Sequence, residues 1–580
     1  MTGRPVSRAV TMLPLAAAVL LLAGPLAAAD KVSADRLLPP EVKLFVSISN
    51  VADVKTRWKE ILFSQLQNDR ELADFRKAVD EQLQEVSAKL EDQVGVKLSD
   101  LWNVPSGEIT FAMWHTPGAK LSYAAFLDFG DSRETVDQLL SKAADALDKQ
   151  GAKRKTEEFE DVRIITYVLP AEKDDDDDAL EKTSGGEFSY FVNDSYLVVG
   201  NNVAALKAIL ARWDGKHPKT FADSEVYRYI IERCKSERTS PVANWYVDPV
   251  GLLRSIVSSA EEPDFQTQLM LGFLPALGVT KLKAIGGSID IATGEFDTVS
   301  RMVVYVDTPT TGVLNVFQFP AIEQQPPKWV PASASSYYTG NWNVPGAYAA
   351  INSLYDSIIG QGAFSSIIDD LAKNEGGPML HIKQDLIDQL SGRIHFLSIP
   401  AESDDNADAP AAERSLVAFG VKDSAKMKAV LAKLAETPGF PGKVREFRDE
   451  TIYELSIQQL TTGIGVTKGH LMIASDVTLL EGIIRGGENQ KSLAETVKYR
   501  RIAKKFPAKT AIIGFQNQNS QAKAFYEMLR SGQAGVSIPG LDFQKLPPFT
   551  AIDKYLRTSG SYFVPDKHGA FHVSFTLRDN

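Results

Sequence analysis

The stretch Ser195-Tyr-Leu-Val-Val-Gly-Asn-Asn-Val-Ala-Ala-Leu-Lys-Ala-Ile-Leu210 combines a short apolar strand, a polar corner and an amphipathic helix pattern. A near-copy occurs in the second half of the chain, as His470-Leu-Met-Ile-Ala-Ser-Asp-Val-Thr-Leu-Leu-Glu-Gly-Ile-Ile484. Asn202 and Asp476 occupy the same position, where a side-chain oxygen can cap the free N–H groups of the helix. The strand–cap–helix unit is therefore the predicted building block of the chain.

The two halves of the chain contain the same pattern elements in the same order. Apolar residues alternate in Val42–Ile48 and Asn50 follows, which predicts a strand and then a helix. Ser336–Val344 has the corresponding pattern in the second half. Lys383–Phe396 aligns without gaps on Leu98–Phe111. Each half holds four strand–cap–helix units, which predicts a tandem duplication of about 250–270 residues, a period too long for a solenoid.

This order predicts the domain organisation and the fold class. A proline-rich linker at 309–331 separates a first module, 34–308, from a second module, 332–580. Adjacent strand patterns are joined by short turns, so each module should hold a largely antiparallel sheet with packed helices, which is the α+β class. The early order of elements also suggests a split β-α-β arrangement.

A helix pattern with sevenfold spacing follows Asp69. Leu72, Val79 and Val86 recur at this interval, as do Leu83 and Leu90. The run spans fewer than three heptads, so it predicts a helix that faces the core. A coiled-coil partner surface is the alternative.

The N-terminus has the pattern of a secretory signal peptide. Arg4 and Arg8 precede the apolar run Ala9–Leu26, and Ala27-Ala28-Ala29 then offers small residues for cleavage. We expect cleavage after Ala29 and a periplasmic or extracellular location, with an uncleaved anchor helix as the alternative. No other long apolar segment follows, so no transmembrane segment is expected after removal of residues 1–29.

Composition narrows the class of protein. The 580 residues are 44% hydrophobic and 24% charged, an ordinary globular balance, and the formal net charge of −11 argues against a nucleic-acid binder. The only cysteine is Cys234, so an intrachain disulfide is excluded. Cys234 ends an amphipathic helix pattern, which predicts a structural thiol.

Several of these motifs occur together in one known kind of protein. Leu38-Pro39 precedes the first predicted strand and the Asn50 corner that follows it. Gly107-Glu-Ile109 comes shortly after an Asp-Leu pair. Phe221-Ala-Asp223 follows the unit of strand, Asn cap and helix. With the signal peptide, this set resembles a family of exported bacterial proteins of unknown function, common in planctomycete-type genomes. The resemblance implies an envelope or extracellular location and supplies no catalytic residue.

Catalytic and cofactor motifs are absent from the sequence. None of the seven histidines falls opposite another histidine when the halves are aligned, so each is interpreted as an ordinary surface or strand residue. There is no His-Glu-x-x-His zinc helix and no Gly-x-Ser-x-Gly elbow. Ser288 and its counterpart Ser561 are interpreted as tight glycine-flanked strand starts. We therefore predict no catalytic residue, no cofactor and no metal ligand.

Two acidic loops are the one candidate for metal binding. Asp174–Asp178 and Glu402–Asp408 offer clustered carboxylates, which Ca²⁺ prefers. Neither loop has the spacing of a formed calcium loop, so a solvated loop is the favoured interpretation.

Two functions remain open. The first is a non-enzymatic exported protein that binds a partner protein or an apolar ligand, and a large apolar groove in the structure would favour it. The second is an envelope hydrolase whose site is assembled from distant residues, which two close carboxylates or a Ser–His pair would favour.

Overall fold

The structure is a computed structural model, and its description covers most of the chain. The described residues are 31–94, 96–98, 104–116, 121–170, 186–236, 240–259, 265–374, 376–400, 413–457, 460–486, 491–532 and 542–578. The predicted signal peptide, 1–29, and both acidic loops, Asp174–Asp178 and Glu402–Asp408, lie outside them. These interpretations therefore stay predictions.

The described strands form one sheet. Their bounds are β1 Val42–Ile48, β2 Ile109–Trp114, β3 Ser122–Asp128, β4 Lys153–Phe159, β5 Val162–Val168, β6 Glu187–Asn193, β7 Tyr196–Gly200, β8 Ala243–Val247, β9 Leu282–Thr293, β10 Phe296–Val306, β11 Ser336–Asn341, β12 Leu390–Ile399, β13 Arg414–Val421, β14 Gly442–Phe447, β15 Glu450–Ile457, β16 Leu460–Thr467, β17 His470–Ala474, β18 Ile512–Asn517, β19 Thr558–Asp566 and β20 Gly569–Leu577.

The described α-helices are mostly short and lie between these strands. Their bounds are α1 Ala34–Leu37, α2 Val51–Trp58, α3 Leu62–Gln67, α4 Ala73–Val94, α5 Arg133–Lys149, α6 Val203–Leu210, α7 Glu225–Arg233, α8 Pro249–Ser259, α9 Phe265–Phe273, α10 Val344–Ile359, α11 Ala363–Lys373, α12 Ser424–Ala435, α13 Val477–Arg485, α14 Val497–Ala503 and α15 Gln518–Arg530.

Strand pairing gives the two halves the same order within a single sheet. Its order is β4-β5-β6-β7-β3-β2-β1-β8-β9-β10-β20-β19-β18-β11-β12-β13-β17-β16-β15-β14, and every pairing is antiparallel. The halves join where β10 pairs with β20. Each strand of the first half thus has a counterpart ten numbers higher at the mirrored position.

This order confirms the α+β class and the largely antiparallel sheet. The tandem duplication remains a hypothesis, which predicts the shared strand order that the pairings have. The split β-α-β prediction is wrong, because β1 and β2 are adjacent and antiparallel rather than parallel with a strand between them.

The predicted caps are present at the corners of the repeated unit. The Asn202 Oδ1 atom accepts a hydrogen bond from the Ala205 N–H at 2.7 Å, and Asp476 Oδ1 accepts one from the Thr478 N–H at 2.7 Å. The sequence Asp131-Ser132 also predicts a cap for α5, but Ser132 makes no side-chain hydrogen bond to that helix. Ser132 has φ −82° and ψ 28°, outside the extended conformation that lets a cap side chain reach back.

One face of the sheet carries the main core. Alternate residues of a strand point to opposite faces, so strand partners share a face. On this face α6, α7, α13 and α14 cover the strands with buried apolar side chains; these include Leu206, Ile209, Ile230, Leu480, Ile483 and Ile502. Part of the opposite face is covered by α2, through Val51 and Val54.

Helical connections from the two halves pack on each other at one end of the sheet. Leu72, before α4, is buried with Phe549 and Ile552 from the β18–β19 connection. Asp69 accepts a hydrogen bond from the Tyr555 hydroxyl at 2.6 Å and pairs with Lys554 at 2.6 Å. The Lys554 ammonium and then the Tyr555 hydroxyl hold the pKa of Asp69 well below its usual range.

The core-facing prediction for α4 is wrong over the middle of the helix. Leu83 is 48% exposed and Val86 is 37% exposed, whereas Leu90 is buried. The helix is therefore held at its two ends and presents apolar side chains to solvent between them.

Candidate apolar site at the junction of the two halves

An apolar cavity of about 560 Å³ lies where the two halves of the sheet meet. Its floor is built from four adjacent strands and includes Val304 of β10, Ala570 of β20, Phe563 of β19 and Ile512 of β18. The other lining side chains come from residues 308–320, which lead from the first half to the second. The cavity thus exists only because both halves contribute to one sheet.

Strand register explains why these floor residues share a face. Val304 pairs with Ala570, Ala570 pairs with Pro565, and Phe563 pairs with Ile512. Their chain neighbours Val303 and Phe571 point to the opposite face and are buried in the main core. The junction strands are therefore apolar on both faces, and the described α-helices α7 and α14 cover the main-core face.

The covering segment was expected to be a linker. It contains a short 3₁₀ helix, Gly312–Phe317, and carries Leu314 and Phe319 against the cavity. The Trp342 Nε1–H donates to the Val316 carbonyl at 2.7 Å, and the Val313 N–H donates to the Leu277 carbonyl at 3.0 Å. Hydrogen bonds thus hold the segment to the chain before it, at Leu277, and to the chain after it, at Trp342.

The polar residues that line the cavity are few. Asp566 is the only acidic residue among the described lining residues, and its carboxylate faces α7 on the other side of the sheet. It accepts a hydrogen bond from the Tyr229 hydroxyl at 2.8 Å and pairs with Arg233 at 3.3 Å. Burial, and then the hydrogen bond to Asp566, raise the pKa of Tyr229 to about 12. The carboxylate charge is compensated, so the cavity keeps its apolar character.

One glycine sets the closeness of the strands at the cavity edge. Gly569 has φ +122°, and a Cβ atom there would stand 2.3 Å from the Val304 carbonyl oxygen. Any side chain would collide with the backbone of β10, so only glycine fits. This contact fixes how β20 starts along β10.

Apolar side chains also remain exposed on the helices that follow the central strands. No residue of α9 is buried, and Phe265 is 75% exposed. Ile359 of α10 is 62% exposed, and Phe525 of α15 is 53% exposed.

The structure brings together two histidines that the sequence analysis treated separately. His395 and His470 have ring centroids 5.1 Å apart, and Trp329 lies against both rings. The Tyr337 hydroxyl is hydrogen-bonded to His395 Nδ1 at 2.8 Å. Burial, then the neighbouring His470 and Arg393, lower the pKa of His395 to about 3. His395 is therefore a neutral core residue of β12.

Cys234 and Ser288, both singled out in the sequence, have packing roles. Cys234 is fully buried, and burial raises the pKa of its thiol to about 12. The Ser288 hydroxyl donates to the Cys234 carbonyl at 2.7 Å, which anchors the end of α7 to β9. A protonated, buried thiol is not a nucleophile.

Metal and membrane features are absent from the described part of the chain. Its His, Cys, Asp and Glu side chains form no group of three or more that could hold a metal ion. No helix in the same ranges has the length and apolar character needed to cross a bilayer.

Comparisons with protein-family models, with curated proteins and with solved structures gave no match for this chain. The resemblance to exported bacterial proteins therefore stays a prediction.

Sequence reasoning missed the residues that line the cavity. The cavity depends on the pairing of β10 with β20, which are far apart in the sequence and share no turn. Two local signals were available. Every residue of Met302–Val306 is apolar, so both faces of this strand are apolar. The linker also carries Leu314, Phe317 and Phe319 among its prolines.

Proposed function

We propose that the protein is a non-enzymatic binder of an apolar small molecule, held in the junction cavity. The observation that carries this proposal is the apolar cavity of about 560 Å³ between the four junction strands and residues 308–320. Ligand pockets in proteins span roughly 300–1,000 Å³ and are mostly apolar. An exported location, which rests on the sequence of residues 1–29, would make the ligand a molecule of the cell envelope or its surroundings.

The chemistry of the lining supports binding rather than catalysis. Hydrolysis would need a pair of close carboxylates or an activated nucleophile. The one acidic residue among the described lining residues, Asp566, has its carboxylate bound to Arg233 and Tyr229 of α7, on the other side of the sheet. The remaining surface of the cavity offers apolar contact, which contributes about 0.8 kcal/mol for each CH₂ group removed from water.

A series of alkanols of increasing length tests the proposal. Calorimetric titration with 1-hexanol, 1-octanol and 1-decanol should show affinity that rises with each added CH₂ group, by about fourfold per group at the expected energy. Ala570→Phe places a ring in the cavity floor and should abolish the trend. Thr156→Phe, on the exposed edge strand β4, is the matched control and should bind like the wild type. Length-independent affinity, or an unchanged series in Ala570→Phe, would overturn the proposal.

A further inference from the structure

A second cavity, of about 400 Å³, lies at the same end of the sheet as the apolar junction cavity. Its lining includes three basic side chains, Lys43, Arg254 and Lys283, together with His115 and one carboxylate, Asp248. The chain as a whole carries a formal net charge of −11. The lining of this cavity therefore carries a net positive charge, whereas the protein as a whole is negative. A positive lining favours the binding of an anionic group.

The two cavities are neighbours along the sheet. Leu282 lines the polar cavity and Val306 lines the apolar one, and these two residues pair across β9 and β10. Asp307, next to Val306, pairs with Lys283 at 3.1 Å. The two cavities are therefore separated along the sheet by one pair of strand residues.

The polar cavity retains unused capacity for hydrogen bonding. Asp248 pairs with Lys43 at 2.9 Å and accepts from the Gly251 N–H at 2.7 Å, so its charge is compensated within the protein. The Arg254 side chain is exposed, and no ion pair or side-chain hydrogen bond joins it to another described residue. The His115 Nδ1 atom is buried, and no described residue is hydrogen-bonded to it. A buried polar atom without a protein partner is costly, so this nitrogen requires a partner such as water or a ligand group.

We propose that the ligand is an amphipathic anion, with its apolar chain in the junction cavity and a carboxylate or phosphate head group in the polar cavity. Arg254, Lys43 and Lys283 would face the head group, and His115 would supply a hydrogen bond to it. This inference rests on the proposed function, since it names the chemistry of the molecule that the apolar cavity holds.

Four probes with the same chain test the head group. Decanoate, decyl phosphate, 1-decanol and decylammonium are titrated by calorimetry below their micelle concentrations. Both anions should bind about tenfold more tightly than 1-decanol, and decylammonium should bind most weakly. A preference for one anion identifies which head group the cavity fits. Equal affinities for 1-decanol and both anions would overturn the inference.

Arg254→Gln should weaken both anions severalfold and leave 1-decanol unchanged. Arg163→Gln, at an exposed position of β5, is the matched control and should change none of the four affinities. An Arg254→Gln variant that binds all four probes like the wild type would contradict a head group in the polar cavity. Failure of every probe to bind, or indifference of every probe to Ala570→Phe, would instead overturn the proposed function itself.

Discussion

Leu282 and Val306 pair across β9 and β10, yet they line two different cavities. The register shifts by a bulge between Tyr305 and Val306, which turns the end of β10 at the boundary. An apolar pair thus separates a basic cavity from an apolar one. The sheet itself, rather than a mobile loop, holds the two sites at a fixed spacing.

The ion pair beside this boundary should tune anion binding. Lys283→Gln removes a positive charge and also leaves the Asp307 carboxylate without its partner. We expect decanoate affinity to fall a few-fold, because both side chains are partly exposed and solvent screens their charges. The double variant Lys283→Gln/Asp307→Asn should recover part of the loss in calorimetry. A double variant weaker than Lys283→Gln alone would contradict this role of Asp307.

The helix caps of the two halves should differ in their contribution to stability. Asn202→Ala should lower the free energy of unfolding by about 1–2 kcal/mol, through loss of the cap and of a second bond to the buried Ser122 hydroxyl at 3.1 Å. Asp476→Ala should cost about 1 kcal/mol, since Asp476 supplies a cap alone. Urea unfolding measures both values. A larger loss in Asp476→Ala would show that its charge at the helix N-terminus outweighs the second bond of Asn202.

His395 should make the fold less stable in acid. Its pKa is about 3 in the folded protein and about 6.5 in an unfolded chain. The unfolded state therefore binds more protons between these values, so the stabilisation is complete above pH 6.5 and is lost as the pH falls towards 3. His470, whose pKa burial also lowers, acts in the same direction.

Replacement by glutamine tests this contribution while keeping a polar partner for the Tyr337 hydroxyl. Between pH 3 and pH 6.5, the unfolding free energy of His395→Gln should change less steeply with pH than that of the wild type. The two slopes should differ by up to about 1.4 kcal/mol per pH unit. Urea unfolding at several pH values gives the slopes. Parallel curves for the variant and the wild type would show that His395 is protonated in the folded protein.

Asp69 should hold the helical connections of the two halves together. Asp69→Asn removes the negative charge that pairs with Lys554 and accepts from Tyr555. Amide hydrogen exchange should become faster in residues 62–72 and 543–556, while the central strands keep their protection. Asp137→Asn, which breaks an exposed pair with Arg133, is the control and should leave both segments unchanged. Unchanged exchange in Asp69→Asn would contradict this role.

Local patterns predicted the repeated unit but not the way its copies assemble. The caps at Asn202 and Asp476 depend on contacts within a few residues, so a short window of sequence contains their cause. The hairpin of β9 and β10 could also be predicted, since its turn lies at Gly294 between two alternating runs. The α+β class followed from the short spacing between such runs.

Long-range pairing produced the features that sequence reasoning missed. β10 and β20 each end one half of the chain, and no turn joins them, so only the fold specifies that they pair. His395 lies on β12 and His470 lies on β17. The two rings come close because both strands pair with β13. The exposed middle of α4 had the spacing of a core helix, and tertiary packing left it in solvent.

The location of the apolar chain is the most direct test of the central claim. Methyl-labelled protein and 1-decanol allow nuclear Overhauser effects to be measured between the alkyl chain and individual side chains. We predict contacts to Val304, Ala570 and Ile512, in the cavity floor, and their loss in Ala570→Phe. Contacts confined to the exposed side chains of α9 and α10, with none to these three residues, would contradict binding at the junction of the two halves.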